Sequence, residues 1–265
     1  YMTAVPRVLN VFPSFDENMP ACAKCDKKII EIKKFNGPDI RDLIRPGDTI
    51  CVLGSPWFHD DYASFLEEAT TPSNSTITRP KIALLIYDLI PILRPEWCNA
   101  VLVNHFTNWF ITCVPKAEYL FAISKATAED LGKWMRREQI PLRHPIEVLP
   151  IGSGFQGELD ERPAEIPDNL KGSEFVLFVS TIEARKNHLF VFRAWRRLIE
   201  KYGPDKVPTL VFAGRQGWLV ADLMQQLINC SYLDGKIMFI PDPSDSELRE
   251  LYRYCRFTIF PSLYE

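Results

Sequence analysis

Apolar residues along this chain follow two spacings that alternate. Short β-branched or aromatic runs, such as Thr49-Ile50-Cys51-Val52 and Ile82-Ala83-Leu84-Leu85-Ile86, give way to stretches whose apolar positions recur at helical spacing. Strand patterns alternating with helix patterns are the signature of βαβ units and parallel sheets. In the first half the runs predict strands at 8–12, 49–53, 81–86, 119–123 and 147–150, with helices at 39–44, 62–69, 100–113 and 125–138. The last helix has a clear start: Ser124 is a good N-cap, and Ala128, Leu131 and Met135 share one face. From 152 to 174 the pattern lapses into Gly152, Gly154, Gly157, Pro163 and Pro167 among charges, which reads as a linker. It restarts with strands at 175–180, 209–213, 236–240 and 257–260, separated by helices at 188–201, 218–228 and 244–255. The expected fold class is therefore α/β, two doubly wound domains at 1–152 and 175–265 joined by a linker at 153–174. The second ends on a strand with no helix after it, whereas a parallel sheet is covered on both faces, so it is expected to be a partial domain.

Composition narrows the function without naming it. A length of 265 residues suits two domains, and a formal net charge of −3 gives nucleic acid no electrostatic footing. No run approaches the roughly 18 apolar residues of a membrane span. The best stretch, 82–93, contains Asp88 and Pro91. Tyr1-Met2-Thr3 opens without a basic segment or an apolar signal core, and the odd cysteine count of seven suits a reduced compartment. The expectation is a cytoplasmic protein, with peripheral contact at the inner membrane face left open. Cys22-Ala23-Lys24-Cys25 has metal-ligand spacing, but no second Cys or His pair answers it, so no metal site is specified.

The chemistry concentrates at strand ends. In the stretch from Phe178 to His188 a strand ends, a short turn follows, and Arg185 and Lys186 stand just before a helix that starts near Asn187. A helix N-terminus favours anions through its free N–H groups and dipole. An Arg adds a bidentate fork and a Lys a point charge, a combination that suits a diphosphate. The alternative is two solvated cations in a loop. Glu265 follows the strand at 257–260 after Pro261-Ser262, at the carboxyl edge where open parallel sheets bind ligands. If a nucleotide-diphosphate sugar lies along that edge, Arg185 and Lys186 meet its phosphates and Glu265 its sugar hydroxyls. Gly214 ends another strand, where it either lets a ligand approach the backbone or merely turns the chain. Backbone groups of Ile240 and Pro241 are placed to read a nucleobase edge. Asp88 ends an apolar strand in the first half, either holding a sugar or acceptor hydroxyl or shaping the turn before Pro91. Trp57-Phe58-His59 reads either as an acceptor-facing aromatic loop or as core cover. His105, between apolar neighbours, reads as a packed histidine.

These segments resemble the retaining glycosyltransferases of family 4, built on the GT-B architecture of two Rossmann-like domains. The resemblance rests on Arg185-Lys186-Asn187, on Gly214-Arg215, and on Pro261-Ser262-Leu263-Tyr264-Glu265. In the first half, Tyr87-Asp88-Leu89-Ile90-Pro91 with Arg94-Pro95-Glu96, and Phe121 to Thr127, resemble further family steps. Ser180 stands where a glycine is usual and Tyr87 where a His is common. Glu265 would be the first of the family's paired glutamates, the second lying beyond residue 265, so the resemblance implies a chain truncated at both ends. It also implies transfer of mannose or a related hexose, with retention, from a nucleotide-diphosphate sugar to a saccharide or lipid-linked saccharide hydroxyl in bacterial cell-surface polysaccharide synthesis. Arg185, Lys186, Glu265 and Asp88 would be its catalytic residues, with Ser180, Asn187, Gly214, Ile240 and Pro241 along the donor. Neither cofactor nor metal is expected: no Asp-any-Asp tripeptide occurs, and the cations take over the neutralising work. A non-catalytic nucleotide-sugar-binding subunit and another GT-B enzyme, such as a sugar epimerase, are the competing readings.

Overall fold

The computed structural model describes residues 8–10, 47–58, 62–70, 80–152 and 166–265. The helix expected at 39–44, the Cys22/Cys25 pair and His59 lie outside them. Contacts divide the chain into two units, Tyr1–Ile92 with Val101–Ile151, and Leu93–Ala100 with Gly152–Glu265. The segment Leu93–Ala100 thus packs with the second half although its sequence lies in the first. Both units are parallel α/β, as the alternation of spacings predicts.

In the first unit the sheet runs β1 (Val8–Asn10), β2 (Thr49–Val52), β3 (Lys81–Ile86), β4 (Tyr119–Ala122) and β5 (Glu147–Val148), in that spatial order and all parallel. Ile50, Val52, Ile82, Leu84, Ile86, Leu120 and Ala122 are buried. The helices α1 (Tyr62–Thr70), α2 (Ala100–Cys113) and α3 (Lys125–Arg137) add Leu66, Phe106, Trp109, Phe110, Leu131 and Trp134 to that core. Ser124 caps α3 as expected, its hydroxyl accepting from Thr127 N–H at 3.1 Å.

The second unit has the sheet order β8-β7-β6-β9, again all parallel, from β6 (Phe175–Val179), β7 (Thr209–Ala213), β8 (Ile237–Ile240) and β9 (Phe257–Thr258). Because side chains alternate along a strand, β6 and β7 serve two cores. Val176, Phe178, Leu210 and Phe212 face α4 (His188–Tyr202) and α5 (Ala221–Asn229), joining Val191, Phe192, Trp195, Leu223 and Leu227. Phe175, Leu177, Val211 and Ala213 face the other way, onto Leu170 and onto Leu251 of α6 (Asp245–Tyr254). The chain therefore winds outward through β6, β7 and β8 with helices on one face. It then crosses back under α6, on the opposite face, to place β9 on the far side of β6. Between β6 and β9 lies the topological switch point of the sheet, where open α/β sheets bind ligands.

Among the described residues the expected elements are present with shifted ends. The helix expected from 218 begins at Ala221, because Leu219 has φ of 58° and breaks the helical path. The strand expected over 257–260 ends at Thr258; Ile259 N–H still bonds the Leu177 carbonyl at 2.9 Å, and the chain then turns toward the loop after β6.

Candidate functional site

The loop after β6 is built to hold its side chains in place. Ile182 N–H donates to the Arg215 carbonyl at 2.7 Å, and Gly217 N–H to the Ile182 carbonyl at 2.8 Å, so the loops after β6 and β7 are zipped together. Glu183 then enters a single 3₁₀ turn, Ala184–Lys186. Asn187 follows with φ of 66°, a left-handed conformation that Asn tolerates better than most residues, and α4 begins. Its side chain does not cap that helix. It donates across to the Pro261 carbonyl at 3.2 Å, while Leu263 N–H donates to the Arg185 carbonyl at 2.9 Å.

These cross-loop bonds bring Arg185, Lys186 and Glu265 into contact at the switch point. Arg185 Nη1 donates to Glu265 Oε2 at 2.9 Å and to the Tyr264 carbonyl at 2.8 Å, and Arg185 Nη2 to Glu183 Oε1 at 2.7 Å. Lys186 Nζ donates to Glu265 Oε1 at 2.6 Å and sits 4.7 Å above the Phe260 ring. Both cations are largely buried, while the Glu265 side chain is 49% exposed. Burial alone would raise the Glu265 carboxyl pKa; hydrogen bonds from Lys186, Ser262 and Arg185 outweigh it and hold the group below its usual value. With Glu183 included, two cations face two carboxylates, and the cluster is charge-balanced.

Behind the loop, His188 opens α4 fully buried, stacked on Phe178 at 4.2 Å and meeting Phe212 edge-on at 4.9 Å. Its Nε2 lies 3.4 Å from Ser180 Oγ. Burial lowers its pKa from 6.5 to about 4, with the Lys186 charge adding to the shift and the Glu183 backbone opposing it. Unfolded chain binds the proton near 6.5 and folded chain only near 4, so the stability from a neutral His188 is complete above about 6.5 and is lost as pH falls toward 4. His188→Gln should flatten the slope of unfolding free energy between those two pH values in a urea-denaturation series.

The remaining expected residues have definite places. Ser180 turns its hydroxyl toward His188, and its carbonyl oxygen lies against Gly214, whose φ is 147°. Close approach of these two strand ends explains that glycine. The Ile240 carbonyl accepts from Gly214 N–H at 3.0 Å within the sheet, and Pro241, which has no N–H, follows it at the strand end. Asp88 belongs to the first unit, where its Oδ1 accepts from Ile90 N–H at 2.9 Å and shapes the turn of Ile90–Leu93. Trp57 packs edge-on against Phe106 at 5.0 Å and beside Trp109 at 5.5 Å, which makes it core cover. His105 is half-buried, its ring 5.9 Å from that of Phe58.

Three contributors were not legible as site residues. Glu183 sits inside the motif but gives no local sign of its burial. Arg94 and Trp97, from the segment that packs with the second unit, border Tyr264: Arg94 lies 5.3 Å from its ring centroid and Trp97 6.3 Å ring to ring. The Trp218 indole Nε1–H ties this segment down by donating to the Trp97 carbonyl at 2.8 Å.

Two parallel α/β units, the second doubly wound with its polar cluster at the switch point, make the GT-B fold. Solved structures agree on the fold. A trehalose-6-phosphate synthase, OtsA, superposes with TM-score 0.59 at 14% identity, over 84% of this chain and 53% of that one. The pneumococcal O-GlcNAc transferase GtfA, in complex with UDP and GlcNAc, gives TM-score 0.51 at 13% identity, over 85% of this chain and 40% of that one. Residues 161–265 match the family described as Glycosyl transferases group 1. Among curated relatives, the serotype-specific mannosyltransferase WbdA of Escherichia coli is 28% identical over 191 residues, covering 67% of this chain and 23% of WbdA. The O-antigen chain mannosyltransferase B of Escherichia coli is 28% identical over 123 residues, 46% of this chain and 28% of the relative. The chain thus spans about a quarter of the length of the curated relatives it matches. Among the described residues no helix is long and apolar enough to cross a membrane.

Proposed function

We propose that the second unit binds a nucleotide-diphosphate sugar across the carboxyl edge of its sheet, and that the protein transfers the sugar to an acceptor hydroxyl with retention. The observation that carries this reading is the convergence of Arg185, Lys186 and Glu265 at the switch point between β6 and β9. The diphosphate lies on Arg185 and Lys186 at the start of α4, where the helix terminus adds its own positive potential. Two charge-assisted donors there stabilise the leaving diphosphate as it gains charge, without a metal ion. Glu265, held on the adjacent strand end, accepts from the sugar hydroxyls. The mannosyltransferase relatives favour mannose or a related hexose as the sugar. They favour a saccharide or lipid-linked saccharide of a bacterial surface polysaccharide as the acceptor.

The test is calorimetry of the intact protein with GDP, UDP and dTDP. Replacing Arg185 and Lys186 together by Ala should weaken the best-bound nucleotide by about 3 kcal/mol or more, since hydrogen bonds to charged groups contribute about 1.5–3 kcal/mol each. That is at least a hundredfold in dissociation constant. Unchanged affinity would remove the diphosphate assignment, and the preferred nucleotide would name the base.

A further inference from the structure

We propose that Glu183 is a positioning residue for the phosphate end of this site, acting through Arg185; the inference rests on the diphosphate assignment above. Glu183 is a carboxylate only 4% exposed, in extended backbone at the entry to the turn that carries both cations. A buried carboxylate is costly unless it is paired and hydrogen-bonded, and this one is paired with Arg185 Nη2 at 2.7 Å. The two carboxylates on Arg185 are unequal. The Glu265 side chain is 49% exposed and the Glu183 side chain 5% exposed. An incoming diphosphate can displace the exposed partner and take over Nη1. Glu183 stays on Nη2 and fixes the plane of the guanidinium, so the fork meets the phosphate oxygens already oriented. The zip between the loops after β6 and β7 holds Glu183 itself in place, through Ile182 and Gly217.

Simple electrostatics and positioning predict opposite signs for Glu183→Gln. Removing a negative charge beside a site for an anion should tighten binding if charge alone matters. Loss of the anchor should loosen it. The experiment is a double-mutant cycle on the intact protein, read by calorimetry with whichever of GDP, UDP or dTDP binds best. The four proteins are the parent, Glu183→Gln, Arg185→Ala and the double variant.

The expected result is that Glu183→Gln weakens binding about five- to tenfold when Arg185 is present and changes it less than twofold when Arg185 is Ala. Glu183→Asp, which keeps the charge, should recover part of the loss, and thermal unfolding checks that each variant is folded. Equal or tighter binding by Glu183→Gln overturns the proposal, as does an equal loss in both backgrounds, which marks a structural role alone. If Arg185→Ala leaves affinity unchanged, the diphosphate assignment fails first and the role of Glu183 fails with it.

Discussion

Replacing Gly214 by Ala should cost the second unit about 3 kcal/mol or more of unfolding free energy, the range of a strained backbone combined with a steric clash. Two independent constraints converge there. A φ of 147° lies where only glycine is comfortable. An added Cβ would also stand 2.1 Å from the Ser180 carbonyl oxygen and 2.7 Å from its carbon, and backbone cannot swing aside as a flexible side chain can. Relief requires the ends of β6 and β7 to separate, and Ser180 leads directly into the loop that presents Arg185 and Lys186. Urea denaturation should show the loss of stability, and nucleotide affinity of the folded fraction should fall with it. A variant as stable as the parent would mean that the two strand ends are not held together here.

Replacing Glu265 by Gln should strengthen binding of a free nucleoside diphosphate, by about tenfold, while weakening use of the full nucleotide sugar. As the structure stands, Glu265 engages both cations, at 2.9 Å and 2.6 Å, so it occupies the ground a diphosphate needs. Half-exposed ion pairs of this kind are worth about 0.2–1 kcal/mol each, so releasing two of them frees roughly 1.4 kcal/mol, a tenfold change. A nucleoside diphosphate carries no sugar, so any loss of sugar contacts does not enter its titration. Calorimetry with the diphosphate, set beside turnover of the sugar donor, separates the two roles. Weaker diphosphate binding by Glu265→Gln would show that the carboxylate assists the phosphates and does not compete with them.

The fold was legible because its signals are local. The apolar runs at 175–179 and 209–213, capping by Ser124, and the charged turn before α4 are each carried by neighbours in sequence. The roles of single glycines and aromatics were less so. Gly214 reads from sequence as ligand-facing or as a turn glycine and Trp57 as ligand-facing or as core cover, and only three-dimensional neighbours, Ser180 for one and Phe106 for the other, supply the contacts each residue makes. Glu183 and Trp97 were illegible for a related reason. Nothing in the run Ile182-Glu183-Ala184 tells a buried carboxylate from a solvated one, and no periodicity announces that Leu93–Ala100 packs with residues a hundred positions further on. The charge balance of the site was also hidden, since a sequence records the presence of two cations and not their occupation by Glu183 and Glu265.

The placement of β9 has a consequence for the lifetime of the site. β7 and β8 each pair with the strand before them, but β9 closes a long loop to reach β6, with which it pairs over two residues. Long closures form late in folding, and short pairings of low contact density open more readily than long ones in the native state. Opening of β9 carries off Pro261, Leu263, Tyr264 and Glu265 together, while Arg185 and Lys186 stay on the standing sheet. Amide exchange across 257–265 would then outpace exchange in β6 and β7, and the Glu265 carboxylate would leave and rejoin the two cations on a timescale set by local opening, independent of global unfolding.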